Sequence, residues 1–339
     1  MSFFSILIAL LLEQIHPLGR QHPLRLWITG LVVAIRKNFD AGKPSQAALI
    51  WCLIVVAPAL AVVLVQWGLD QLLGWPFVVA WNILVLHLTL GFRQFSFHLT
   101  GIRKALDEGN EGKARELLAT WRDLDTRDFS RGQIYLRVMQ ASTLATHRTV
   151  FGVFFWFAVL ASLGLGPAGA IMYRFADLGY RLSQRSGAQD AQASLPVRDL
   201  FTRAWAWIDW VPVRMTAISF AMVGNFEEVV DKWRSQPPGN PHDPVGTNEA
   251  LLLATAFAAV NLATADTPIT GSGSDQTTDF GVSEPFADTQ IRSRSNKPSR
   301  PKESALSMLE LNQMVGLMWR ALLLWMLTLA LLSAANVMG

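Results

Sequence analysis

Residues 47–69 run for 23 positions without one charged side chain. Few structures accept such a stretch. As a helix rising 1.5 Å per residue, about 20 apolar residues match the ~30 Å hydrocarbon core of a bilayer. In water the same helix would have to be covered on every side. The neighbouring residues favour the bilayer. Asp70 to Trp75 makes a tight turn, and residues 76–92 return as a second apolar segment. Trp67, Trp75 and Trp81 gather near that turn, as indole rings do in the headgroup layer. The pattern predicts a transmembrane hairpin.

The flanks orient it. Arg20, Arg25, Arg36, Lys37 and Lys43 precede the hairpin, and Arg93, Arg103, Lys104, Lys113, Arg115 and Arg122 follow it. The short turn between the arms carries no basic residue. By the positive-inside rule both flanks are cytoplasmic and the turn is external. Composition agrees: 16% of residues are charged, against about 25% in an ordinary soluble domain. The net charge is only +3, and basic residues flank apolar runs rather than interleave with base-stacking aromatics. This argues against nucleic-acid binding. Cys52 is the sole cysteine, so an intrachain disulfide and any multi-cysteine metal site are excluded.

Residues 2–12 are apolar, but no Lys or Arg precedes them and no small-x-small cleavage site follows. We therefore expect a retained interfacial or half-buried helix, within a first unit of residues 1–46. The hairpin occupies 47–92. Residues 93–148 read as a cytoplasmic helical region, with Gly109-Asn110 punctuating two short helices. Leu106, Ala114, Leu117, Leu118 and Trp121 form its apolar face. Residues 149–264 form a membrane block broken by Gly164, Gly166, Pro167 and Gly169, either a bent span or a re-entrant hairpin. Residues 265–304, rich in Ser, Thr, Pro and Gly, read as a disordered linker. Residues 305–339 close with a transmembrane helix. The expected fold class is mostly α: a polytopic helical membrane protein, in a bacterial inner membrane with its basic loops cytoplasmic.

Polar residues kept at a membrane are the candidates for function. His22-Pro23-Leu24-Arg25 follows the first helix. Arg25 there is an anion contact or a snorkelling arginine in an interfacial turn. Asp123, Asp125 and Asp128 offer carboxylates for a Mg²⁺ ion carrying a nucleotide, or form a solvated loop. His147-Arg148 stands at the mouth of the glycine-broken block and marks a site or a helix end. In Asp209-Trp210-Val211-Pro212-Val213-Arg214, opposite charges flank a proline and form an ion pair that fixes a bend, or line a site. No P-loop, nucleophile elbow or His-Glu metalloprotease box is present.

Over roughly residues 1–235 the order of these features resembles the membrane family that contains the cobalamin-biosynthesis protein CobD/CbiB and the modulator AmpE. The synthases of that family join an aminopropanol arm to adenosylcobyric acid with ATP and a divalent ion. His22-Pro23-Leu24-Arg25 looks like their His-Pro-Val-Arg, and Asp125-Thr126 like the end of their Gly-Arg-Asp-Thr. Residues 210–214 are similar to their aromatic-x-Pro-Ala-Arg. Where they carry Glu-Asn-Thr-x-Asp-Gly, this chain has His147-Arg148-Thr149-Val150-Phe151-Gly152. Their Asn-Thr is missing from the segment around Tyr173, Arg174 and Asp177. The AmpE branch, linked to β-lactamase induction, is similar at Glu13 with Leu18-Gly19, at Arg148 ahead of Phe155-Trp156, and at residues 209–214.

With the synthase acids replaced, the resemblance implies a non-catalytic, regulatory member. It would bind an anionic ligand, a cobalamin precursor or a membrane-protein partner, and would need no cofactor. Its ligand residues are expected to be His22, Arg25, His147, Arg148, Arg174, Asp209 and Arg214. The enzyme alternative is an amide ligase using ATP, with Mg²⁺ held by Asp125, Asp177 and Asp209. A third reading is a structural membrane scaffold.

Overall fold

A computed structural model describes residues 2–15, 23–90, 92–122, 126–184, 193–237, 239–240, 243–262 and 308–338. The expected linker of residues 265–304 lies outside them. Among the described residues there are twelve helices and no strand, so the chain has the mostly helical fold of a polytopic membrane protein. In chain order they are α1 (Ser2–Ile15), α2 (Pro23–Phe39), α3 (Pro44–Leu72), α4 (Trp75–Thr89), α5 (Phe92–Asp107) and α6 (Glu111–Arg122). Then come α7 (Arg131–Ser162), α8 (Ala168–Gln184), α9 (Leu195–Val223), α10 (Phe226–Arg234), α11 (Pro244–Ala259) and α12 (Met308–Met338). Among the described residues three segments are long and apolar enough to cross a membrane: Pro44–Leu72, Arg131–Ser162 and Met308–Ala334.

Helix α3 survives an internal proline through a π-helical turn at Cys52–Val56, where the Ala57 N–H reaches the Cys52 carbonyl. Widening the helix just ahead of Pro58 eases the clash its ring makes with the preceding turn. Gly74, at φ 82°, then reverses the chain into α4. At 15 residues, α4 is about 22 Å long, shorter than the full return arm the sequence suggests. Helix α1 packs against α4 and α12.

The sequence pattern ends the cytoplasmic region at residue 148, but the structure carries one helix straight through that point. Ser130 and Gln133 form a reciprocal capping box at the start of α7. A second π turn at His147–Phe151 carries the helix on to Ser162. The charges that suggest a boundary are tolerated inside the helix because other helices supply their partners.

The glycine-rich stretch at residues 163–167 is where α7 turns back into α8, with Gly164 and Gly166 at φ 78° and 57°. A Cβ on Gly169 would overlap the Trp156 carbonyl, and one on Gly152 would overlap the Tyr173 ring. Four residues forward on α8 thus match four back on α7, so the two helices run antiparallel at close range. Helix α3 lies beside them: Gln66 presses on Gly166, and Ile54 lies near Gly179. The α7–α8 turn is therefore at the far end of α3. The C-terminal end of α8 is near α3's beginning, where Arg36 donates to the Leu182 carbonyl at 2.8 Å. We call that the basic end of the bundle.

Helix α9 crosses this group and holds Pro212 in its interior. The proline lacks the N–H that would bond the Ile208 carbonyl. Trp156 Nε1 of α7 fills that role at 3.1 Å, so the helix continues instead of breaking.

Candidate functional site

Successive residues on a helix point about 100° apart. On α7 that angle sends His147 and Arg148, both near the basic end, into two different layers.

His147 enters a dry layer. Its Nε2 lies 2.9 Å from Asp209 Oδ1, and its Nδ1 lies 3.0 Å from the Thr216 hydroxyl. The Tyr173 hydroxyl donates to the same Asp209 oxygen at 2.8 Å. A neutral ring protonated on Nε2 donates to Asp209 and can accept from Thr216; the alternative acceptor for Thr216 is the Pro212 carbonyl at 2.9 Å. His147, Tyr173, Asp209 and Thr216 are all buried. Gly152 is what lets the Tyr173 ring approach closely enough to reach Asp209.

Arg148 enters a charged layer. Its guanidinium bonds Glu249 of α11 and lies 4.0 Å from Asp177 Oδ1 on α8. It also sits over the Trp205 ring, 5.6 Å from the centroid, in cation–π range. Trp205 in turn contacts Tyr173 and Tyr180, with centroids 5.1 and 6.2 Å away. Asp177 is fully buried and takes two more guanidiniums, Arg181 one turn along α8 and Arg174 at 3.4 Å. Asp177 lies outside the three candidate spans. Burial by itself raises its carboxyl, but Arg181, Arg148 and Arg174 together hold it below the usual carboxylate range. Towards the surface the layer opens: the Arg181 side chain is 44% exposed.

Beside Arg148, two buried atoms have no hydrogen-bond partner among the described residues: Asp177 Oδ1 and Trp205 Nε1. One is an acceptor and the other a donor. Buried polar atoms are rarely left unpaired, so they mark where a water or a ligand group of mixed character fits.

Of the residues singled out in the sequence, the fold brings together His147, Arg148, Arg174, Asp177 and Asp209. Arg214 stands apart, stacked 3.8 Å over Trp210 and donating to the Trp210 carbonyl. The ion pair read between Asp209 and Arg214 does not form. Because Pro212 leaves the helix intact, residues five apart project about 140° from each other. Arg214 meets Asn248 instead, at 3.5 Å. His22 and Asp125 lie outside the described residues, as does the side chain of Arg25 within α2.

The metal triad needs carboxylates with free oxygens facing one point. Asp177 is surrounded by guanidiniums and Asp209 is engaged by a histidine and a tyrosine. Among the described residues no group of three or more His, Cys, Asp or Glu could hold a metal ion. The donor set around these two acids does not fit Mg²⁺.

Sequence reasoning missed Glu249, Trp205, Tyr173, Arg181 and Thr216 as site residues. Glu249 carried a weak signal, the one acid within an otherwise apolar helix.

Comparisons with known proteins add to this geometry. The family described as "CobD/Cbib protein" matches residues 6–186. The chain is 27% identical over 252 residues to a "Cobalamin biosynthesis protein CobD" of Stutzerimonas stutzeri, covering 70% of this chain and 74% of that one. It is 28% identical over 245 residues to the protein of the same name in Chromobacterium violaceum, covering 68% and 72%. No solved structure matches it.

Proposed function

The chain belongs to the CobD/CbiB protein family, and on that premise we propose that it is an inner-membrane protein whose charged layer binds an anionic ligand at the cytoplasmic face without catalysing a ligation. One observation carries this reading. Arg148, Arg174 and Arg181 converge on a single buried carboxylate, Asp177, and the outermost of them reaches the surface. Guanidiniums present planar, bidentate donors suited to carboxylate or phosphate. Glu249 occupies one edge of Arg148, and the unpaired Trp205 N–H gives a second contact. A carboxylate- or phosphate-bearing cobalamin precursor has the right chemistry. The match of residues 209–214 to the AmpE branch supports a regulatory use of such binding.

A second reading, an amide-forming synthase of cobalamin assembly using ATP and Mg²⁺, is favoured by the names of both relatives. Complementation separates the two. The chain is expressed in a bacterium lacking its own aminopropanol-linking synthase, and cobalamin-dependent growth is scored. We expect no growth from a protein verified in the membrane. We also expect the purified protein to bind ATP or the corrinoid carboxylate in calorimetry, about tenfold more weakly after Arg181→Ala. Growth that is lost on Asp209→Asn would move the assignment to the synthase.

A further inference from the structure

Helix α9 is too polar overall to count among the three apolar spans, yet one face of it carries an exposed apolar stripe. Trp207, Trp210, Val211, Met215, Ile218 and Met222 recur at helical spacing and are all exposed, with Trp207 at 78%. Three of its polar residues, Asp209, Thr216 and Ser219, face inward and have partners there. Asp209 is held by His147 and Tyr173, Thr216 meets His147, and Ser219 accepts from Trp325 Nε1 at 2.8 Å. Average hydropathy counts those residues against the membrane, although the lipid would never meet them.

The ends of α9 show how it lies. Just before it, the Ser194 N–H donates to Asp40 at 2.9 Å, and Asp40 sits four residues ahead of α3, at the basic end. Just after it, Gly224 and Asn225 line an open cavity of about 380 Å³ with Gln313 and Arg320 of α12. Those two residues flank Met318, which meets Thr146 of α7, next to His147. Both ends thus lie on the same side of the bundle. A 29-residue helix is about 43 Å long, enough to cross a bilayer, but one with both ends on one side runs along the surface.

We infer that α9 is an in-plane helix of the basic-side leaflet, its exposed stripe set among acyl chains and Arg214 on anionic lipid headgroups. Two tryptophans on the stripe suit the headgroup boundary. Arg214, stacked on Trp210, provides complementary charge to lipid phosphates, while the exposed Arg203 is paired with Asp199. The lipid-facing surface is continuous in the molecule, because α9 packs on α12, whose Leu323, Leu327 and Leu331 are also exposed. This inference does not depend on the ligand proposed above.

Spin labelling tests it in the full chain. Cys52, the sole cysteine, is replaced by serine, and single cysteines at Trp207, Met215, Ile218 and Met222 are nitroxide-labelled in phosphatidylethanolamine–phosphatidylglycerol vesicles. Should one variant fail to insert, Val211 serves as the substitute. Accessibility to oxygen and to a water-soluble nickel chelate gives depth. We expect oxygen access to exceed nickel access at every site, with depths agreeing within about one helical turn, 5 Å. A steady gradient of about 22 Å from residue 207 to 222 would mean a crossing helix and overturn the inference. Nickel access would mean a water-facing surface. Dipolar broadening that disappears on dilution with unlabelled protein would mean a second copy covers the stripe. Either of these results also overturns it.

Discussion

His147 and Arg148 are neighbours in the chain, but the layers they enter are opposites. The histidine layer is closed: one imidazole, one carboxylate and two hydroxyls satisfy one another in a site with no exposed member. The arginine layer is open at one side, where Arg181 reaches the surface, and leaves Asp177 Oδ1 and the Trp205 N–H without a hydrogen-bond partner among the described residues. A network that is complete fixes geometry, here the crossing of α7, α8 and α9. A network with an unpaired acceptor and an unpaired donor has something left for a ligand. The π turn that carries both residues joins a structural layer to a receptive one, and π turns inside helices are common at functional sites.

Removing Asp177 should have the largest effect. It neutralises three guanidiniums from a fully buried position, and breaking such a cluster from one side leaves charge uncompensated. We expect Asp177→Ala to cost about 3–5 kcal/mol, read as a lower unfolding temperature in detergent. The same carboxylate shapes the acid response. Its folded pKa lies below the ordinary 3.8, so its contribution is present above that value and is lost as pH falls through the folded pKa. The wild type should therefore lose stability there, and Asp177→Ala should show a flatter acid limb. If the variant melts like the wild type, the arginine layer is not held by this acid.

Gly152→Ala tests the closed layer without touching any of its polar groups. The new methyl would overlap the Tyr173 ring, so the ring must move and its hydroxyl must leave Asp209. Overpacking of this kind costs about 1–3 kcal/mol. Anion binding at the arginine layer should change less than twofold if the two layers act separately. A parallel loss of binding would show that the histidine layer also sets the position of Arg148.

The sequence carries the membrane character plainly, because 23 charge-free residues admit few other structures. It also marks His147, Arg148 and Asp209, since charged residues beside apolar blocks stand out. Their partners are hidden. Glu249 lies 101 residues from Arg148, and nothing local distinguishes it from an acid on a solvated helix face. Trp205 and Tyr173 resemble interface anchors until α9 packs onto α7 and α8 and buries them. Pro212 reads as a bend in the sequence because the residue that compensates for it, Trp156, is 52 positions from the carbonyl it bonds. Helix α9 illustrates the same limit: hydropathy averages around a helix, whereas the membrane meets one face of it.

Glu249→Gln gives the smallest change in stability and the sharpest view of the open layer. Glu249 bonds Arg148 from a side chain 22% exposed, and the glutamine amide oxygen can still accept from the guanidinium. Arg148 also keeps Asp177 and the Trp205 ring. The cost should be about 1 kcal/mol, a small drop in unfolding temperature. Binding should move the other way. Glu249 bonds the edge of Arg148 that an anion would take, so it would compete with the anion, and the substitution removes the charge of that competitor. Affinity for ATP or a corrinoid carboxylate should rise about tenfold, equivalent to ~1.4 kcal/mol. A variant that loses both stability and affinity would make Glu249 part of the binding surface, and Arg148 a residue fixed by its ion pair. A variant that binds more tightly while melting slightly earlier would make Glu249 an internal stand-in for the ligand and Arg148 the group it releases.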